Sequence, residues 1–219
     1  MTESEWLTCT DPNELLRFLG RSASERKRRL FAVACCHHIW SNMTDRCGRR
    51  AVQTSERYAD GRATKEELET AFSAADRAQD HGRVRQWHAF DAARLSAHPE
   101  TRGLADGTAT AAAMANIWGG SAEEAWKKMT DEQAYQCLLL RDIFGNPFRA
   151  VHCAEQWLTA AVVDLASEIY DRRSFNHMPA LGDRLMEAGC SHSDILDHTR
   201  EPTPHVRGCW VLDLTMRRS

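Results

Sequence analysis

The chain has 219 residues, of which 42% are hydrophobic and 27% are charged, a composition typical of a globular fold with one large domain or two small ones. Its formal net charge of −3 argues against a protein that is basic throughout and built to bind a polyanion. No apolar run is long enough for a membrane helix, and the acidic N-terminus does not resemble a secretory signal. We therefore expect a cytoplasmic protein with no membrane partner, whose eight cysteines are reduced thiols.

Helix-start signals recur along the chain, whereas the alternating pattern of β-strands does not occur. Most of these signals pair a capping Asp, Ser or Thr with apolar residues spaced three and four apart. In chain order, helix starts are predicted at Asp11, Ser24, Thr44 or Asp45, Thr64, Ser121, Thr130, Thr159, Pro179 and Ser191. Weaker helical patterns cover residues 84–98 and the alanine-rich stretch after 108, and the tail 206–216 fits a helix or one strand. The sequence predicts an all-α fold, an irregular bundle of roughly nine to eleven helices.

The turn sequence Gly145-Asn146-Pro147-Phe148 is the best candidate for a domain boundary. We expect a main helical domain over residues 1–144 and a C-terminal helical sub-domain over 145–219 that packs on the first. Polar and aromatic side chains around a turn can also form a recognition surface. The candidate interaction loop consists of Arg141, Asp142, Phe144, Asn146, Phe148 and Arg149. A purely structural role for the same residues is the alternative.

Five stretches carry the most distinctive sequence: WLTCTDP at 6–12, LFAVACC at 30–36, RYADG at 57–61, LRDIFGNPFR at 140–149 and HVRGCW at 205–210. Together they resemble a large family of planctomycete proteins that occurs as many paralogues. The resemblance spans nearly the whole chain and is loosest in its middle part. It implies an intracellular bacterial protein and implies no activity, so the roles considered below rest on the chemistry of the residues.

The C-terminal segment holds two cysteines and two histidines, namely Cys190, His198, His205 and Cys209. Two thiolates and two imidazoles suffice for a tetrahedral zinc site. His205 and Cys209 share a face if the tail is helical, and the prolines at 202 and 204 can turn the chain back between the histidines. Zinc is thus the one cofactor that the sequence suggests, although the spacing matches no standard zinc finger. Buried thiols beside ordinary histidines are the alternative.

Residues 21–62 carry ten Lys or Arg against four Asp or Glu, a local net charge of +6. The candidate patch for an anion or a nucleic acid consists of Arg26, Lys27, Arg28, Arg29, Arg46, Arg49 and Arg50. A solvated face, or pairing with the acidic remainder of the chain, is the alternative. In the neighbouring run from Cys35 to His38, core packing with His38 bonded to a neighbour is favoured over catalysis.

The sequence contains no P-loop, dinucleotide-binding fingerprint, zinc-protease motif or nucleophile elbow, so an enzyme is not favoured. Three functions remain open. The first is a non-catalytic helical scaffold or interaction module with a protein partner. The second is a small protein with a structural zinc at the C-terminal Cys and His residues, and the third is a nucleic-acid-binding module that uses residues 21–62.

Overall fold

The structure, a computed structural model, describes residues 1–78, 84–100, 103–117 and 121–218. The protein is 73% helical, and no strand occurs in the part of the chain that the structure describes, which confirms the predicted all-α fold. The described residues form twelve α-helices, ten of them with seven or more residues. The predicted number was nine to eleven, and the ten helices with seven or more residues fall within that range.

The helices are, in chain order, α1 (Glu3–Thr8), α2 (Pro12–Leu19), α3 (Glu25–His38), α4 (Arg46–Ala59), α5 (Lys65–Ala78), α6 (Val84–Ser96), α7 (Leu104–Ala115), α8 (Ala122–Phe144), α9 (Ala160–Arg172), α10 (Met178–Glu187), α11 (Ser193–Arg200) and α12 (Trp210–Thr215). Within the described ranges, none of these helices combines the length and the apolar character needed to cross a membrane.

Local capping chemistry sets most of the helix starts. The hydroxyl of Ser24 accepts a hydrogen bond from the Lys27 backbone N–H at 3.3 Å and caps α3. Thr64 and Glu67 cap α5 reciprocally, since each side chain accepts from the other residue's backbone N–H, at 3.2 and 2.8 Å. These interactions involve residues only three apart, which is why the sequence predicts them well.

Three helix starts differ from the prediction, one of them being α7, which begins at Leu104 rather than after residue 108. Thr130 lies inside α8, where its hydroxyl donates to the Lys127 carbonyl at 2.9 Å, so the helix start predicted there is wrong. Helix α1 was not predicted, although Thr2 and Glu5 form a complete capping box. A helix of six residues shows too little apolar periodicity to stand out in a sequence.

The chain divides into two compact units, Met1–Leu140 and Arg141–Ser219. The sequence placed this boundary four residues later, at the turn that begins with Gly145. In the first unit, α3 packs against α4, α6 and α7. In the second unit, α10 packs against α9 and α11, and α12 packs against α9. Gly182 of α10 lies so close to Thr199 of α11 that an added Cβ would overlap the threonine hydroxyl.

Candidate metal centre

Four side chains with metal-ligating atoms converge in the second unit: Asp142, His198, His205 and Cys209. Asp142 lies in the last turn of α8, and His198 lies in α11. His205 belongs to the connection between α11 and α12, and Cys209 directly precedes α12. One donor atom from each residue lies within 4.8 Å of all the others. The structure thus brings together three of the four ligands predicted from the sequence and adds an aspartate.

The distances between the donor atoms approach those of a zinc tetrahedron. The Nε2 atom of His198 lies 3.2 Å from Asp142 Oδ1 and 3.3 Å from Cys209 Sγ. The Nδ1 atom of His205 lies 2.7 Å from the same oxygen and 3.9 Å from the same sulfur. A tetrahedron with zinc–nitrogen bonds of about 2.0–2.1 Å and a zinc–sulfur bond of about 2.3 Å has edges of about 3.3–3.6 Å. Small side-chain shifts would therefore let one ion reach all four atoms.

A turn, rather than a helix, brings His205 and Cys209 together. Helix α12 begins only at Trp210, so the two ligands do not share a helical face as the spacing of four residues suggested. Instead, the Cys209 N–H donates to the Val206 carbonyl at 3.0 Å. Gly208 within this turn has φ 92°, a conformation that side chains with a Cβ rarely adopt. The turn leaves the imidazole and the thiol on the same side of the chain.

The four side chains are removed from solvent, and the pKa values of two of them differ from their usual values. Burial opposes ionisation of Asp142, but the hydrogen bonds and charges of His198 and His205 outweigh it and hold the pKa of that carboxyl below its usual value. Burial, followed by the negative charge of Asp142, raises the pKa of the Cys209 thiol well above its usual value. A divalent cation at the centre would oppose the second effect, because metals bind the thiolate.

Further contacts orient the ligands from outside. The second carboxylate oxygen of Asp142 accepts the Val206 backbone N–H at 2.9 Å, which fixes the plane of the carboxylate. On the far side of its ring, His198 Nδ1 lies 3.9 Å from a carboxylate oxygen of Glu201. The Trp210 ring packs against the same imidazole, with ring centres 5.1 Å apart. The backbone hydrogen bond to Asp142 is the kind of outer contact that orients a metal-ligating carboxylate.

Cys190, the remaining ligand predicted from the sequence, lies outside the group of four donors. Its backbone N–H donates to the Leu185 carbonyl at 2.9 Å, directly after Gly189 with φ 90°, and so closes the end of α10. This left-handed turn places Cys190 in the apolar core of the second unit, where it is 2% exposed. The side chain therefore behaves as a small hydrophobe, which was the alternative interpretation.

Of the predicted interaction loop, Asp142 belongs to the donor group, and the other residues surround the turn after α8. The Asn146 side chain accepts the Phe148 backbone N–H at 3.0 Å, and Arg149 lies 3.7 Å from Asp194. Phe148 and Arg149 are exposed, whereas Arg141, Phe144 and Asn146 are half-buried. Much of this loop is thus explained by the structure of the turn, and recognition of a partner by its exposed part stays a prediction.

The basic residues on α3 are engaged within the first unit. Arg26 lies 3.2 Å from Asp60, whose side chain is almost completely buried. Arg28 donates to two backbone carbonyls that precede α3, and Lys27 is half-buried. Arg29 is fully buried. This part of the predicted patch therefore serves internal contacts. Its acidic and carbonyl partners offset the unfavourable placement of positive charges at the N-terminus of a helix.

The basic residues on α4 are more accessible. Arg46 and Arg50 are exposed and, with Arg49, line a shallow depression of about 650 Å³. The Arg49 side chain already makes contacts within the unit, because it donates to the Met43 carbonyl at 2.6 Å and packs over the Trp40 ring. Binding of a nucleic acid at this surface stays a prediction.

The buried Arg29 is expected to be essential for the stability of the first unit. Its guanidinium donates to the carbonyls of Ser96 and His98 at 3.2 and 3.1 Å, and it packs over the Tyr58 ring. Arg29→Ala removes these two hydrogen bonds and the packing on Tyr58, and should lower the free energy of unfolding by about 2–4 kcal/mol. Urea denaturation followed by circular dichroism measures this loss. Arg50→Ala, at an exposed position, should change it by less than about 0.5 kcal/mol, and equal effects would contradict the assignment.

The comparisons with known proteins add no relative to this picture. No family model matches the chain, and neither a curated protein nor a solved structure gave a match. The interpretation of the site therefore depends on its own geometry.

Proposed function

We propose that residues 141–219 bind one zinc ion through Asp142, His198, His205 and Cys209, and that the ion has a structural role. The observation that carries this proposal is the arrangement of the four donor atoms: the histidine nitrogens lie 2.7 to 3.9 Å from the Asp142 oxygen and the Cys209 sulfur, distances that bracket the edges of a zinc tetrahedron, and all four atoms lie within 4.8 Å of one another. His198 would bind through Nε2, His205 through Nδ1 and Asp142 through Oδ1.

The chemistry of the donors favours zinc over other divalent ions. Magnesium and calcium are held by oxygen ligands in sites of six or more positions. A thiolate with two imidazoles is instead a set that suits zinc, and one carboxylate oxygen completes the four positions of a tetrahedron. The same set of donors also binds copper, so elemental analysis has to measure both zinc and copper.

The completeness of the set favours a structural role over catalysis. A catalytic zinc keeps one position open for water or substrate, whereas here the protein supplies four donors. The ion would tie the end of α8 to α11 and to the start of α12. A unit of this size gains stability from such a link, because its apolar core is small. These features support a non-catalytic helical module, in which zinc holds the folded unit together for contact with a partner.

The competing explanation is a metal-free cluster in which both imidazoles donate to Asp142 Oδ1. The two explanations differ in metal content. Protein prepared without chelators should contain close to one zinc per chain by elemental analysis. Cobalt(II), added to metal-free protein, should give the visible spectrum of a tetrahedral ion with a thiolate charge-transfer band.

A matched pair of cysteine variants tests the assignment of the sulfur ligand. Cys209→Ser should lose the zinc and the thiolate band, because the sulfur ligand is gone. Cys190→Ser should keep both, since Cys190 is equally buried but lies outside the donor group. If Cys209→Ser does not fold, the cobalt titration of metal-free wild-type protein still decides. Wild-type protein that is folded, contains no metal and binds no cobalt would refute the proposal.

A further inference from the structure

The first unit contains an open polar cleft of about 740 Å³, separate from the zinc ligands. It lies between the end of α3, the segment that follows it, and one face of α8. The cleft is lined by side chains that include those of His38, Ser41, Thr44, Lys128, Asp131 and Tyr135. Ser41 and Thr44 are exposed residues of this lining.

A buried carboxylate holds His38 in one orientation. His38 Nδ1 lies 2.7 Å from Glu132 Oε2, and the Glu132 side chain is 1% exposed. The amides of Asn116 and Gln136 also donate to this carboxylate, at 3.1 and 3.2 Å. The imidazole stacks on the Tyr135 ring, with centres 3.7 Å apart and an interplanar angle of 15°. This agrees with the expectation that His38 bonds a neighbour, and the neighbour is an acid.

The arrangement assigns the proton of the neutral imidazole. Because a carboxylate only accepts hydrogen bonds, the Nδ1 atom of His38 carries a proton, and in the neutral ring Nε2 therefore carries the lone pair. The His38 side chain is 36% exposed, so Nε2 is the ring nitrogen left for a ligand. A histidine that only fills space in a core does not need a stacked ring and a buried acid, itself held by two amide donors, to fix its orientation. The dyad of His38 and Glu132 is therefore a preorganised hydrogen-bond acceptor.

A cation lies on the same wall of the cleft. Lys128 precedes Glu132, the acid that holds His38, by four residues on α8, so the Cβ atoms of the two lie one helical turn, about 5–6 Å, apart. Lys128 is exposed and lines the cleft. The carboxylate of Asp131 also lines it, but that charge is paired with Lys127 at 2.7 Å. The wall thus offers one acceptor and one positive charge a short distance apart.

We propose that this cleft binds a small hydroxycarboxylate. The ligand's hydroxyl donates to His38 Nε2, its carboxylate pairs with Lys128, and the hydroxyls of Ser41 and Thr44 supply further hydrogen bonds. An anion that also carries a hydrogen-bond donor satisfies both Lys128 and the lone pair of His38. This site is independent of the zinc proposed for the second unit, so either proposal can fail alone.

Malate and succinate make a matched pair of probes, because they differ only by one hydroxyl. Titration followed by NMR should show malate binding about tenfold more tightly than succinate, the effect of one hydrogen bond of about 1.4 kcal/mol. His38→Gln and Lys128→Met should each weaken malate binding by about tenfold or more. The controls His37→Gln and Lys65→Met remove neighbouring or exposed groups outside the cleft and should leave it unchanged.

A second measurement uses the unaltered protein. Nitrogen-15 spectra of the imidazoles should show His38 as the Nδ1–H form with an unprotonated Nε2, and malate should shift that Nε2 signal while succinate shifts it less. Three results would each overturn the proposal: equal affinity for malate and succinate, malate affinity unchanged by His38→Gln, or a His38 ring whose Nε2 carries the proton. Binding of both acids with equal strength would reduce the site to a general anion contact at Lys128.

Discussion

Removal of zinc is expected to destabilise the second unit by at least about 2.7 kcal/mol, the linkage free energy of a ligand present at 100 times its dissociation constant. The proposed ion would bind the folded unit, in which Asp142, His198 and Cys209 meet, and would have no comparable site in the unfolded chain. Amide hydrogen exchange, measured with and without a strong chelator, should show faster exchange in α11 and α12. Fluorescence should change as well, because Trp210 packs against His198.

Two controls separate loss of the metal from a general effect of the chelator. Helices of the first unit, such as α3, should exchange at the same rate in both conditions, since they contain none of the four ligands. Zinc added in excess should restore slow exchange, whereas magnesium should not. The variant Cys209→Ser should respond to neither ion. Identical exchange in the second unit with and without the chelator would contradict a structural zinc.

The helices were predictable because their signals are local. Asp11, Ser24 and Thr159 each cap the helix that follows, through hydrogen bonds to backbone N–H groups two or three residues ahead. The failure at Thr130 has a related cause. The same residue types occur inside a helix when their hydroxyl bonds back to the preceding turn, and only the packing of a continuous α8 decides between the two uses.

The candidate metal centre was only partly predictable, because one of its four side chains lies far from the other three in sequence. His198, His205 and Cys209 fall within twelve residues, and their chemistry alone identified them. Asp142 belongs to a different helix, and its sequence context suggested a loop residue instead. No local pattern distinguishes an aspartate that meets two histidines from one that caps a turn. Cys190 was preferred because it is near in sequence, but the left-handed turn at Gly189 places it in the core.

The cleft at His38 shows the same limit. The sequence indicated that His38 would bond a neighbour, but the neighbour, Glu132, lies on α8, far along the chain. Glu132 follows Lys128 by one turn, which is an ordinary spacing for a solvent-exposed helix face. Its burial, at 3% exposure, distinguishes it from Glu123, Glu124 and Asp131 of the same helix, which are exposed. Burial of this kind depends on the packing of α3 and α7, and no count of charges along the chain reveals it.

The substitution Asp142→Asn is expected to lower zinc affinity at least about 100-fold, because even outer partners of a metal site are worth about 10–100-fold. The neutral amide is a weaker ligand than the carboxylate. It also has a geometric cost, since one carboxylate oxygen is assigned to the ion and the other accepts from the Val206 N–H at 2.9 Å. An amide has one oxygen, so in either orientation an N–H₂ group faces one of these partners.

The same substitution should lower the free energy of unfolding of the second unit by about 3–5 kcal/mol, the cost of removing one member of a buried charged cluster. Asp183→Asn is the matched control, because Asp183 pairs with Arg200 at 3.0 Å on the surface and should contribute less than about 1 kcal/mol. Metal content distinguishes a ligand from a purely structural acid. If Asp142→Asn destabilises the unit but keeps full zinc and an unchanged cobalt spectrum, the carboxylate orients the histidines without binding the ion, and the fourth position of the zinc is open to water.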